Sequence, residues 1–230
     1  MSETLASSAF FGVLISLGLY WLGAALKKRL RLAIANPLLI AIGGTIICLL
    51  LTGVDYADYS AAARPLSFLL TPATVCLAVP LYRQLPLMRR YWKAVLGGIA
   101  IGVVVSLFSV FLLALAFSLS NSQYATLLPK SITTAIGMGV SAELGGVETI
   151  TVAVIVLTGI AGNVLAEPVC RLLRITEPVA QGVAIGTSAH AIGTARALEM
   201  GQVTGAMSGL AIAAAGLITV ALAPVFSGFI

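Results

Sequence analysis

Apolar runs of roughly 20 residues, long enough to cross a bilayer as helix, follow one another along this chain with short polar breaks between them. They are Leu5–Leu26, Ile34–Thr52, Ala61–Gln84, Ala94–Leu119, Val147–Cys170, Val179–Met200 and Val203–Phe229. Basic residues cluster in the breaks: Lys27, Lys28, Arg29 and Arg31, then Arg83, Arg89, Arg90 and Lys93, then Arg171 and Arg174. Clusters of this kind mark the cytoplasmic side. The segment Leu127–Gly146 departs from the pattern. Pro129, Lys130, Ser131, Thr133, Thr134 and several glycines make it too polar to face lipid. If every basic loop is cytoplasmic, this segment enters and leaves on the outer side as a re-entrant hairpin. The alternative is a full span, with Arg171 and Arg174 outside. The hairpin is preferred because it keeps all basic loops on one side. The pattern thus predicts an all-α polytopic membrane protein with about seven transmembrane helices plus one re-entrant hairpin. Val179–Met200 is expected to run outward and Val203–Phe229 to return to the cytoplasm.

Composition strengthens the membrane assignment. Of 230 residues, 60% are hydrophobic and 9% charged, whereas a soluble domain carries about 25% charged residues. The net charge of +5 sits in the short clusters and does not point to nucleic acid. The N-terminal MSETLASSAF has no basic n-region, so the first run reads as a retained span and not a cleaved signal. The cysteines Cys48, Cys76 and Cys170 lie in apolar runs without metal-ligand spacing and read as packing residues. No catalytic constellation is present: there is one histidine, and no phosphate-binding glycine loop or nucleophile elbow. The expectation is a protein that is not an enzyme and holds no metal or cofactor.

Polar chemistry is concentrated in a few places. Gly186–Glu199 reads GTSAHAIGTARALE and contains Thr187, Ser188, His190, Thr194 and Arg196. Its flanking glycines permit a break in helix. His190 is either a substrate- or proton-handling group or a packed histidine bonded within the bundle. Arg196 either forks a carboxylate substrate, pairs with Glu199, or snorkels to the interface. A second stretch, TPATVCLAVPLYRQ, carries Thr71, Pro72, Ala73 and Thr74, with prolines that break or kink a helix. Lys130, beside Ser131, either attracts anions or anchors the hairpin near water. Glu143 and Glu148 flank a Gly-Gly turn and read as solvated. Glu167 is either interfacial or paired with Arg171.

Thr71 and Thr187 begin stretches of similar composition, an offset of 116 residues. On the topology above, the paired segments run in opposite directions. That predicts one domain, residues 1–230, built as an inverted repeat with halves of approximately 1–119 and 120–230, each with a broken helix. Crossed broken helices at the midplane are a common transporter layout. Their free N–H groups favour a small anion. The expected binding set is Thr71, Pro72, Ala73, Thr74, Lys130, Ser131, Thr133, Thr134, Thr187, Ser188, His190, Thr194 and Arg196.

The chain resembles the LrgB/CidB family of membrane proteins. The resemblance rests on TPATVCLAVPLYRQ, LPKSITTAI and GTSAHAIGTARALE, which are similar to that family's three signature blocks in the same order. Family members often have proline after the paired threonines of the middle block, where this chain has Ala135. The resemblance implies two functional traditions. One is antiholin-like modulation of murein hydrolase activity and autolysis beside a holin-like partner of the LrgA/CidA type. The other is transport of small carboxylates such as pyruvate, glycolate or glycerate. The concentration of polar residues in helix breaks favours a carrier over a pore, and together with the resemblance this implies a secondary transporter of small monocarboxylates, compatible with ion coupling. The expected setting is the inner cell membrane, with lipid contact and assembly into homo-oligomers.

Overall fold

The computed structural model describes residues 10–30, 37–69, 72, 75–76 and 78–230. Every described element is helical. The chain forms two compact units, Met1–Cys76 and Leu77–Ile230.

In the first unit α1 (Phe11–Leu30) ends on Lys27, Lys28 and Arg29, and α2 (Pro37–Thr52) opens on proline, whose missing N–H costs nothing in a first turn. Gly23 lets the two helices approach closely, since a Cβ there would stand 2.8 Å from the Pro37 Cα. Short helices α3 (Tyr56–Ala62), whose first turn is capped by Asp55, and α4 (Arg64–Phe68) follow. The expected span Ala61–Gln84 is therefore interrupted at Ala63; Pro72, Val75 and Cys76 are helical, and α5 (Ala78–Arg83) lies in the second unit. Thr71, Ala73 and Thr74 lie outside the described residues, and Pro72 is an exposed helical residue.

The second unit contains α6 (Leu85–Ala116), α7 (Asn121–Leu127), α8 (Thr134–Glu143), α9 (Glu148–Leu172), α10 (Pro178–Met200) and α11 (Gln202–Ser227). The later part of α6, α9 and α11 are each long and apolar enough to span, as is most of α1. Large apolar side chains such as Leu112, Leu157 and Leu217 are exposed, as lipid contact requires and water does not favour. These features make the chain a multi-pass membrane protein.

The polar segment after α6 is a re-entrant hairpin, hairpin 1. Its arms are α7 and α8, and its tip is the non-helical stretch Leu128–Thr133. Both arms return to one level. The Val147 N–H donates to Thr126 Oγ1 (2.8 Å), and Thr151 Oγ1 donates to the Thr126 carbonyl (3.0 Å) and lies 2.6 Å from Ser141 Oγ. At the tip, Ser131 Oγ lies 3.0 Å from Ser106 Oγ. Ser106 precedes Ala116 by ten residues, about 15 Å of helix, or half the apolar thickness of a bilayer.

The segment Val179–Met200 does not run outward as a span; it is a second hairpin. α10 bends back on itself at His190, whose backbone (φ 41°, ψ −142°) leaves helix. Along the first arm, Gln181 and Ile185 approach the Cys170 and Ala166 ends of α9. Along the second, the Asn163 amide donates to the Ile192 carbonyl (2.8 Å) and Arg196 pairs with Glu167. The first arm thus runs antiparallel to α9 and the second parallel to it. A run of some 20 apolar residues satisfies the length of a span and of a folded hairpin equally, which is why apolar length alone predicted the wrong course. As a consequence α11 starts at the basic end and finishes beside hairpin 1, where the Tyr124 hydroxyl donates to the Phe226 carbonyl (3.0 Å). The last helix therefore does not return to the basic side.

The two hairpins enter from opposite ends of α9 and are related in sequence at an offset of 56 residues. Ala135, Ile136, Gly137, Glu143, Gly145, Val147 and Pro168 correspond to Ala191, Ile192, Gly193, Glu199, Gly201, Val203 and Pro224. Contacts correspond too: Thr126 meets Thr151, and at their equivalents a Cβ on Gly182 would stand 2.7 Å from the Met207 Cβ. In the 116-residue pairing the stretch from Thr71 to Gln84 crosses from the first unit into the second and includes residues that the structure does not describe. Cysteines replacing Arg174 and Ser227 should react with an impermeant thiol reagent from opposite membrane faces. Gly182→Val should lower thermal stability in detergent by about 1–3 kcal/mol through overpacking, whereas Gly97→Ala, which meets nothing within 4 Å, should not destabilise.

Candidate functional site

The hairpin tips meet on α6. Lys130 Nζ donates to Ser131 Oγ (3.1 Å) and to Ser106 Oγ (3.4 Å). From the other hairpin, Thr187 packs on α6 where Gly102 leaves room: a Cβ at Gly102 would stand 2.8 Å from the Thr187 Cγ2. Ser106, Lys130, Ser131, Thr187 and Ser188 form the polar end of a groove of about 920 Å³. Between this end and the mouth, where Tyr91 and the carboxylate of Glu177 line it, the wall is apolar, including Val95 and Val105 of α6 and Val183 of hairpin 2.

Two features of this polar end are energetically incomplete. Among the described residues no carboxylate forms an ion pair with Lys130; the pairs described between them are Glu167 with Arg171 and Arg196, and Glu199 with Arg196. An ammonium at mid-depth in a membrane protein carries a large desolvation cost unless an opposite charge accompanies it. Thr187 is only 5% exposed, and its hydroxyl has no hydrogen-bond partner. A buried hydroxyl left unpaired costs about 1–3 kcal/mol. Both groups line the same groove. The N-terminal ends of α8 and of the second arm of α10 also lie at the tips, so unpaired N–H groups and the positive helix ends add to a local positive field.

The other expected site residues are distributed differently. His190 does not line the groove. It is 3% exposed and its Nε2–H donates to the Ile155 carbonyl (2.9 Å), pinning the tip of hairpin 2 to α9. The close approach requires glycine on α9, because a Cβ on Gly159 would stand 2.6 Å from the His190 Cε1. Thr194 Oγ1 donates to the His190 carbonyl (3.0 Å) and meets Ser208 Oγ of α11 (2.6 Å), so it closes the hairpin internally. Arg196 sits at the root of hairpin 2, joined to Glu167 and Glu199, with Glu167 also joined to Arg171. Thr133 is the N-cap of α8 and Thr134 its first residue; neither lines the groove. Thr71, Ala73 and Thr74 lie outside the described residues, and Pro72 belongs to the first unit. Ser106 was not among the expected site residues. Its signal was a lone hydroxyl in the oily stretch GVVVSLF, which is common in packed spans and so carries little weight by itself.

The fold and this centre define a polytopic α-helical membrane protein with two opposed re-entrant hairpins and a cationic, hydroxyl-rich cluster between their tips. A family model described as the LrgB-like family matches residues 16–229, and the chain belongs to that family. No solved structure matches it.

Thr187→Val should leave the fold intact and raise stability by up to about 1–3 kcal/mol, since it removes an unpaired buried hydroxyl; thermal unfolding in detergent measures this. His190→Ala removes the ring's bond to the Ile155 carbonyl and leaves a void beside Gly159, and should destabilise by about 1–3 kcal/mol in the same assay.

Proposed function

We propose that the protein is a secondary transporter of small monocarboxylates of the pyruvate, glycolate or glycerate class, working in the inner cell membrane. The observation that carries this reading is Lys130, an ammonium at the tip of a re-entrant hairpin with no carboxylate partner among the described residues. A carboxylate ligand supplies the missing charge. The hydroxyls of Ser106, Ser131 and Thr187 lie where they can donate to its oxygens, and Thr187 has its bonding capacity unused. Hydroxyl donors and one ammonium suit a singly charged acid better than a phosphate, for which forked arginines are the usual complement. Arg196 is committed to Glu167 and Glu199 and has no part in the site. His190 holds the hairpin tip that presents Thr187, three residues before it in the chain.

A role in autolysis beside a holin-like partner is compatible with transport, because a carrier can act within a two-component assembly. No feature of the groove favours that role over transport.

Reconstituted protein should take up labelled pyruvate or glycolate. Lys130→Gln should raise the concentration for half-maximal uptake about 10- to 100-fold, as expected for losing a hydrogen bond to a charged group worth about 1.5–3 kcal/mol. Thr187→Val and Ser106→Ala should weaken uptake while the protein still inserts. Failure of the wild type to move any of a panel of small acids would overturn the assignment.

A further inference from the structure

The two hairpins are sequence equivalents, yet the space on their two sides of the site differs. Toward hairpin 1, Leu107, Val110, Leu128 and Ile132 are buried against one another. Beyond them Phe111 makes edge contacts with Tyr124 and Phe229, at ring-centroid distances of 6.4 and 5.7 Å. The space remaining among Leu128, Ile132, Ser131 and Thr187 is about 10 Å³, at the lower limit for holding one water. Toward hairpin 2, the groove runs open from Lys130 to Tyr91 and Glu177. Those residues lie at the end of the unit that carries Arg89, Arg90, Arg171 and Arg174. Within the second unit the polar cluster is therefore reachable from the basic end and shut from the other.

We infer that hairpins 1 and 2 are the two gates of the Lys130 cluster and that this structure holds it open to the basic end. The inference rests on the reading of that cluster as a substrate site. Its alternate state exchanges the two arrangements: the first arm of hairpin 2 closes along α6, while Leu128 and Ile132 part from Leu107. The repeat at an offset of 56 residues makes this exchange chemically reasonable, because both second arms begin with Ala-Ile-Gly and both hairpins lean on the following helix through equivalent positions. An inverted pair with one shared centre can interchange conformations at small net cost. Hairpin 2 rests on α6 through small residues: a Cβ on Gly98 would stand 3.4 Å from the Val183 Cγ1. Such a contact can slide, whereas an interlocked aromatic contact must separate.

The test is thiol labelling in oriented proteoliposomes of a variant lacking Cys48, Cys76 and Cys170. Ala184→Cys, on the groove wall, should react with an impermeant maleimide from the basic end only. Leu128→Cys should react more slowly and from the opposite end only. Gly98→Leu wedges α6 away from Val183 and keeps the groove from closing. It should lower Leu128→Cys labelling at least tenfold and preserve Ala184→Cys labelling, which also shows that the variant is folded. Labelling of Leu128→Cys from the basic end, absence of its labelling from either end, or indifference to Gly98→Leu would each overturn the gating. Coupled labelling without uptake of labelled pyruvate or glycolate would keep the gates and remove the substrate class. Uptake without coupled labelling would do the reverse.

Discussion

A chain that leaves helical conformation inside a bilayer frees N–H and C=O groups that lipid cannot satisfy. Among its described residues this protein leaves helix at depth at Leu128–Thr133 and at His190. Each break is tolerated because protein, not lipid, surrounds it. Hairpin 1 is held by the buried hydroxyls of Thr126, Ser141 and Thr151. Hairpin 2 is held by the Asn163 amide on the Ile192 carbonyl and by the His190 ring on the Ile155 carbonyl. Glycines on the supporting helices permit the approach: Gly159 and Gly162 on α9 face His190 and Ala189. The histidine backbone sits in a region that favours glycine, a strain of order 1–3 kcal/mol that the surrounding bonds must offset.

The same breaks create the chemistry. A continuous span would bury its N–H groups in its own ladder and point its hydroxyls at helix carbonyls. Turning the chain at mid-depth instead brings helix N-termini, Lys130 and the hydroxyls of Ser106, Ser131 and Thr187 to one place. Local order and function are thereby linked. The groups that stabilise the hairpins are fully bonded, and the groups left short of partners are the ones that face the groove.

Unequal sealing at the two ends of the site follows from what each hairpin packs against. Hairpin 1 closes through large side chains near Phe111, Tyr124 and Phe229. Hairpin 2 meets α6 through Gly98 and Gly102 and is tied down at its root by the Arg196–Glu167–Arg171 pairs. Charged pairs at an interface reorganise more readily than an aromatic cluster at depth.

Much of this was legible in the residues. Low charge and long apolar runs fixed a helical membrane protein, and the basic clusters predicted that Arg171 and Arg174 share an end with Arg89. That reading required Leu127–Gly146 to be re-entrant, as found. The polar runs also singled out Lys130, Ser131, Thr187 and Ser188, since a hydroxyl or ammonium in an oily segment is costly without a purpose. The fold of Val179–Met200 was not legible, because hydropathy measures how much of a segment is apolar and not whether it doubles back. The pairs Arg196–Glu199 and Glu167–Arg171 were among the sequence's alternatives and are present, whereas the bond of Arg196 to Glu167 and the partners of His190 and Thr194 were not legible. Polar type announces that a side chain needs a partner, but only the packing of α9, α11 and the second arm of α10 decides which. Composition and charge order thus determined the environment, the class and the polar residues; the tertiary structure decided which polar residues satisfy one another and which are left without a partner, because only packing sets which side chains meet.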